Sequence, residues 1–328
     1  MKSRLWHMNA DFEVELAHKA FAPGRPYRRT HSFVALNRRL SAQLLWLTAP
    51  GDALLAEEPW PDSLVNDAHS RGVELVSTRA RASQGGRLFT PWGWTPTAAE
   101  AGARAGAEVL PVAFEVVARV NSKLWSHALE VERGWALEGA AVVRTPEELA
   151  SAAARACPGP QDKWVVKSPF GFAARDRVLG RGPSVEWAQG AWAARRFARG
   201  ESLVFQPWLE VVREYGVVAE VGRDGSHRVL GVSDLRTNGA GTGTGYVLGR
   251  PPAPARMAEL EGVAAVVCAR LHAEGYYGPV GVDALEHAGG LHPLLEVNAR
   301  YTMGFVALAV ERSMKPTEPV FWSTKPDT

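Results

Sequence analysis

Two acids and an amide stand in register near the C-terminal end of this 328-residue chain: Asp283 in the run 281–285, and Glu296 and Asn298 in the run 294–300, which ends in Arg300. Carboxylates and an amide oxygen are hard donors. They suit a small divalent cation such as Mg²⁺, which takes few protein ligands and leaves the rest of its sphere to water and phosphate oxygens. Arg300 adds a planar fork that matches phosphate oxygens. Both runs alternate with period two, so they read as strands. Val282, Ala284, Leu295 and Val297 fall on a packing face, and Asp283, Glu296, Asn298 and Arg300 on the other. A two-residue turn at Gly289-Gly290 makes a hairpin in which Asp283 faces Glu296 and Gly281 faces Asn298. Like charges so placed repel, by roughly 0.2–1 kcal/mol, unless a cation lies between them. A bulge at this point is expected to break the geometry. Taken alone, the hairpin fits a solvated acidic face equally well.

The elements around the hairpin can be read from periodicity and punctuation. Residues 44–47, after a helix-like run, and 73–76 read as strands flanking a helix that opens at Pro61-Asp62 and closes at Gly72. An Ala-rich helix over 97–107 and an apolar run over 109–120 follow, then Lys123. Thr145 caps a helix that ends at Pro158-Gly159-Pro160. The apolar strand 163–167 carries Lys167 at its end and enters a loop, 168–175. Ser184 is expected to cap a helix to about residue 198. A strand over 202–206 breaks at Pro207-Trp208-Leu209, and strands over 214–221 and 228–235 follow. Residues 236–245 read as a mobile, Gly-rich strand connection. Its glycines do not follow a strand and open a helix, so it is no dinucleotide fingerprint. A long helix over 257–273 precedes the hairpin, and the Pro-rich tail beyond Ser313 reads as loosely held.

Composition narrows the function classes. With 37 basic against 35 acidic residues the net charge is +2, which makes no electrostatic case for nucleic acid or a membrane surface. The length allows two or three compact units. Cys157 and Cys268 form no Cys-x-x-Cys, and Cys268 lies in an apolar helical run, so buried free thiols and a cytoplasmic location are expected. The first residues soon meet Asp11, Glu13 and Glu15 and lack an apolar signal core, and no run is long enough to span a bilayer. There is no Gly-Lys-Ser/Thr phosphate loop, no His-Glu-x-x-His and no Gly-x-Ser-x-Gly, and the nine histidines lack zinc spacing. The basic stretch with Arg28 and Arg29, followed by Arg38 and Arg39, reads either as a solvated face or as a grip on an acidic substrate. The loop with Trp92 and Trp94 reads either as a pocket wall or, the preferred reading, as interdomain packing.

In order along the chain come Lys123, Lys167, the break at Gln206 to Leu209, Glu214, Asp283, Glu296, Asn298 and Arg300. That order resembles the ATP-grasp superfamily, over roughly residues 116–312. The resemblance implies a mixed α+β and α/β chain. Residues 1–115 would form a small α/β N-terminal domain, and the ATP-grasp fold would hold ATP between a small lobe, 116–200, and a large lobe with the metal site, 201–328. It further implies that Lys123 and Lys167 bind the nucleotide, Lys167 at the α and β phosphates, and that residues 168–175 cover the phosphates, with Arg175 in reach. The single glycine of that loop departs from the glycine-rich form. Gln206, Trp208 and Leu209 would form the adenine hinge, Gln206 standing where the family commonly has Glu. Glu214 would take the ribose hydroxyls, Asp283, Glu296 and Asn298 would hold Mg²⁺, and Arg300 would contact the transferred phosphate.

The activity so implied is an ATP- and Mg²⁺-dependent ligase that joins a carboxylate to an amine through an acyl phosphate, with Lys167 and Arg300 catalytic and ADP and phosphate released. The loops 168–175 and 239–245 would close over the intermediate. Amino acids and peptides are candidate substrates, and a homodimer is the default assembly. The alternatives are a small-molecule kinase of the same fold and an inactive nucleotide-binding protein.

Overall fold

The computed structural model describes residues 2–79, 85–171 and 176–324. Along the chain run β1 (Arg4–His7), α1 (Phe12–Phe21), α2 (His31–Leu44), β2 (Ala53–Ala56), α3 (Asp62–Ser70), β3 (Glu74–Ser77), β4 (Leu88–Pro91) and α4 (Pro96–Arg104). Next come α5 (Phe114–Val120), α6 (Lys123–Arg133), β5 (Ala141–Val143), α7 (Pro146–Ala156), β6 (Lys163–Lys167), β7 (Arg177–Arg181), α8 (Trp187–Phe197) and β8 (Leu203–Pro207). The remainder is β9 (Val211–Val221), β10 (His227–Thr237), β11 (Gly243–Leu248), α9 (Pro254–Ala273), β12 (Gly278–His287), β13 (Gly290–Asn298), α10 (Met303–Met314) and β14 (Val320–Ser323).

Among the described residues these strands form three sheets: a parallel one in the order β3-β2-β1-β4, an antiparallel one in the order β5-β8-β6-β7, and a large antiparallel one in the order β13-β12-β9-β10-β11-β14. Residue 200, the expected lobe boundary, falls ahead of β8, which pairs with both β5 and β6. No helix among the described residues is long and apolar enough to cross a membrane.

The large sheet is covered by α9, whose Leu260, Val263, Ala264, Val267, Cys268 and Leu271 repeat at three and four residues and are buried. They meet Val217, Ala219, Val280 and Val282 in one core, where burial pushes the Cys268 thiol up to about 11. β1 packs on both faces, as a parallel strand between layers must. Leu5 joins Ala98 and Ala105 of the α4 side. Trp6 and Met8 join Leu44 of α2 with Val306 and Val310 of α10, which fastens the N-terminal sheet to the large one.

Three expectations are corrected. Residues 44–47 end α2 and turn, with Leu47 N bonded to Leu44 O, because Leu36, Leu40 and Leu44 continue a helical stripe; the strand is the short, fully buried Ala53–Ala56. Ser184 does not cap α8, which starts at Trp187 behind a reciprocal capping box of Glu186 and Gln189. The tail is tied down: β14 pairs with β11, placing Trp322 opposite Tyr246.

In the small antiparallel sheet Gly180 lies opposite Trp164, and a Cβ there would come 2.0 Å from the indole, which is pinned by its Nε1 donating to Gly182 O at 3.0 Å. Gly180→Ala is therefore expected to destabilise by about 1–3 kcal/mol. Gly262→Ala, on the exposed side of α9 with nothing nearby, should stabilise by roughly 0.5–1 kcal/mol. Urea unfolding of the two variants reads both signs.

Candidate functional site

The hairpin of β12 and β13 pairs Asp283 with Glu296 and Gly281 with Asn298, but not through the expected turn. His287 pairs with Gly290, so the two turn residues are Ala288 and Gly289, one position early. Continued without interruption, that register would set Asp283 against Leu294. A bulge intervenes: Leu285 faces His292, and Ala284 alone stands opposite residues 293–295. Pro293 has no N–H to give the ladder, so pairing can break there at little cost. The bulge thus restores the acid pair instead of breaking it. It also sends Leu294 into the core beside Val297 and turns Leu295, expected on the packing face, toward the site cavity.

β13 is an edge strand, and α6 closes it. Ser126 Oγ accepts from Val297 N at 3.1 Å and Asn121 Oδ1 from Ala299 N at 2.8 Å, so side chains replace a missing neighbouring strand. The same docking brings Lys123, the first residue of α6, to Glu296, with Nζ donating to Oε1 at 2.6 Å. Lys167, at the end of β6, donates to Gln206 Oε1 at 2.7 Å. Arg300 donates from Nε to Glu13 Oε1 at 2.7 Å and from Nη2 to Asn298 Oδ1 at 3.0 Å, while Asn298 Nδ2 donates to Asp283 Oδ2 at 3.0 Å. Glu214, on β9, accepts from Thr237 Oγ1 at 2.8 Å.

These groups line a cavity of about 650 Å³ between the N-terminal unit and the two antiparallel sheets. It brings together Lys123, Lys167, Arg177, Glu214, Asp283, Glu296, Asn298 and Arg300. Arg39 and Trp92 reach its N-terminal wall, while Arg29 turns away to Asp11, with Nε 2.7 Å from Oδ2. The hinge residues are not brought in. Gln206 is buried behind Lys167, and neither Trp208 nor Leu209 lines the cavity; the Trp208 amide is spent on Lys163 O at 2.8 Å. Residues 172–175, Arg175 among them, lie outside the described residues.

The Gly-rich connection is a pinned turn. Asn238 Oδ1 accepts from Ala240 N and Thr242 N, and Gly241 N bonds Asn238 O at 2.7 Å. It touches the cavity at Gly241, Thr242 and Gly243.

Charge in the cavity is unevenly balanced. Burial, then the charges of Glu296 and Glu214, push the Asp283 carboxyl up to about 7. Burial would raise Glu296 as well, but Lys123 beside it holds it below the usual carboxylate range. Burial also raises Glu214, with Thr237, Arg177 and Lys167 opposing. Lys167 is drawn down by burial to about 8, against the pull of Glu296. Among the described residues no group of three or more His, Cys, Asp or Glu is placed to hold a metal. Two carboxylates and an amide are therefore an incomplete shell, of the kind Mg²⁺ fills with water and phosphate. Burial first, and then the two neighbouring acids, raise Asp283, and a divalent cation between Asp283 and Glu296 would favour its charged form.

Behind Lys167 lies a buried network absent from the sequence reading. Glu130 Oε2 faces His127 Nδ1 at 3.0 Å, its Oε1 faces His292 Nε2 at 3.0 Å, and Gln206 Nε2 lies 3.5 Å from Oε2. Burial would raise Glu130, yet the two imidazoles hold it low. The spacing of His127 and Glu130 on one helix face was the available signal. Glu13 gave none, since its partner Arg300 is 287 positions away.

Asp283 keeps its proton to about pH 7 in the fold and to about 3.8 unfolded. Unfolding then releases a proton between these values, and the fold loses stability as pH rises through them. Asp283→Asn should match the parent near pH 4 and exceed it at pH 8 by ~1–2 kcal/mol, discounted because the group lines an open cavity. Urea unfolding without divalent cations measures this; a difference independent of pH would contradict the raised Asp283 carboxyl.

No protein-family model matches the sequence, and no curated protein matches it. Solved structures do. N5-carboxyaminoimidazole ribonucleotide synthetase from Thermus thermophilus aligns with a TM-score of 0.53 at 17% identity, covering 80% of this chain and 70% of that one. A biotin carboxylase complex from Campylobacter jejuni aligns with a TM-score of 0.57 at 14% identity, over 80% of this chain and 63% of that one. The biotin carboxylase domain of Hydrogenobacter thermophilus 2-oxoglutarate carboxylase, in complex with MgADP, ADP and bicarbonate, aligns with a TM-score of 0.52 at 15% identity, over 92% of this chain and 65% of that one. At such identities the likeness is one of architecture, and it is specific: the chain has the ATP-grasp fold.

Proposed function

We propose that the protein is an ATP- and Mg²⁺-dependent ligase that joins a carboxylate to an amine through an acyl phosphate. The observation that carries this reading is the convergence of Lys123, Lys167, Arg177 and Arg300 on Glu214, Asp283 and Glu296 in one cavity of about 650 Å³. The complexes of the structural neighbours with ADP, MgADP and bicarbonate support it.

In this reading Lys123 and Lys167 hold the phosphate chain, and Glu214 the ribose. Asp283, Glu296 and Asn298 would hold Mg²⁺, which would screen the phosphoryl oxygens and relieve the crowding of the acids. Asn298 offers its Oδ1 once Arg300 turns toward the transferred phosphate. A substrate carboxylate oxygen attacks the γ-phosphorus and ADP departs. The amine then attacks the acyl carbon, phosphate leaves, and the nitrogen gives up a proton. The protein makes no covalent bond; it positions the groups and neutralises charge. Lys167, drawn down to about 8, still carries its charge at neutral pH, and phosphate beside it would favour that charge further. Gln206 acts from behind, holding Lys167 at 2.7 Å, in place of any direct part at the adenine edge. Division of the chain near residues 115 and 208 into an N-terminal unit and two lobes belongs to the same proposal.

Glu296→Gln is expected to abolish Mg²⁺-dependent ADP formation with the fold retained, and Lys167→Ala to weaken ATP binding about tenfold or more. A screen of carboxylate and amine pairs, bicarbonate included, should release free phosphate and yield a ligated product identifiable by mass. A phosphorylated product without free phosphate would assign a kinase, and undiminished turnover in Glu296→Gln would remove the metal assignment.

A further inference from the structure

A second, smaller cavity of about 110 Å³ opens at the carboxyl edge of the N-terminal parallel sheet and shares no lining residue with the nucleotide cavity. The chain runs from β1 outward through β2 to β3 and returns to β4 on the other side of β1. The cavity lies at the carboxyl ends of β1, β2 and β3, on the β2 side of β1. His7 is the last residue of β1, Glu57 and Thr78 follow β2 and β3, and α4 adds Arg104. Arg29 completes the wall from the segment between α1 and α2.

The polar groups here are sorted by sign. His7 is 3% exposed, and its Nδ1 lies 3.2 Å from Leu55 O. A carbonyl only accepts, so Nδ1 carries the hydrogen and Nε2 presents a lone pair; that atom is buried with no partner. Burial, and then the charge of Arg29, draw the imidazole down to about 4, which keeps it neutral. Glu57 receives Thr78 Oγ1 on Oε2 at 2.8 Å, and its other oxygen remains. Against these acceptors stand two guanidinium groups. Arg29 commits Nε to Asp11, and Arg104 has only a 3.9 Å approach to Glu100.

A simple anion would meet Glu57, and a simple cation would meet Arg29 and Arg104. We propose that this cavity binds a small zwitterion of the α-amino acid type, with its carboxylate on Arg29 and Arg104 and its ammonium on the open oxygen of Glu57. The volume, set against about 30 Å³ for a water molecule, restricts the ligand to the smallest members such as glycine, alanine and serine. This site is independent of the ligase reading.

Calorimetry on the full chain with glycine, L-alanine and L-serine, against acetate and methylammonium as half-ligands, tests it. A small amino acid should bind more tightly than either half. Arg104→Ala, at a largely exposed side chain, should weaken it about tenfold or more. Glu57→Gln should weaken the amino acid and spare acetate, and stabilisation of both variants by Mg²⁺ and ATP should be unchanged. Absence of binding at millimolar amino acid, equal affinity in folded Arg104→Ala, or acetate binding as tightly as alanine would each overturn the proposal. None of these outcomes bears on whether the nucleotide cavity turns over.

Discussion

Three carboxylates, those of Glu214, Asp283 and Glu296, share one face of the large sheet, and much of the architecture answers the resulting repulsion. Left alone, such a face would splay or take up protons. Here each counter-charge arrives from a different element: Lys123 from α6, Lys167 from β6, and Arg300 from beyond the end of β13. Arg300 is held in turn by Glu13 of α1. The charge problem of one sheet is therefore solved only when the N-terminal unit, α6 and the small antiparallel sheet are all docked, and the cavity is what those dockings enclose.

The acid pair depends on a local irregularity. A regular hairpin from the turn at Ala288 and Gly289 would have set Asp283 against a leucine, and the bulge at Pro293 moves Glu296 into place. The two extra residues shift the register beyond the break while Glu296 keeps the face of Asp283, so only the residues within the bulge are re-aimed. The same break buries Leu294 and frees Leu295 to line the cavity. Core packing and site geometry are thus two outcomes of one defect in the ladder.

Rigidity in the surroundings is unevenly distributed. Behind Lys167, Gln206 and Glu130 with its two histidines form a buried polar network, and Gln206 Oε1 anchors the lysine at 2.7 Å. Across the cavity, the turn at Asn238 is built from hydrogen bonds within itself and closes over Trp208 and Arg177. A fixed lysine thus faces a turn that Arg177 ties to the small antiparallel sheet through Ala240 O.

How much of this was legible follows from distance along the chain. The helical stripe of α9, the cap at Thr145, the acid pair and the ordered lysines are written in short-range periodicity and residue type, which act within a few residues of one another. The same local rule misled where an apolar run, 44–47, continued a helix, and where a Pro-rich tail supplied an edge strand that only β11 could recruit. Fold class came through the family resemblance that the order of these residues carries, and most of the charged residues that line the cavity were named with it. The tertiary structure alone decided that Glu13 would hold Arg300, that Gln206 would serve Lys167 from behind, and that the N-terminal sheet would carry a second polar cavity. These depend on which surfaces pack together, and packing is a property of the whole chain that no window of neighbouring residues contains.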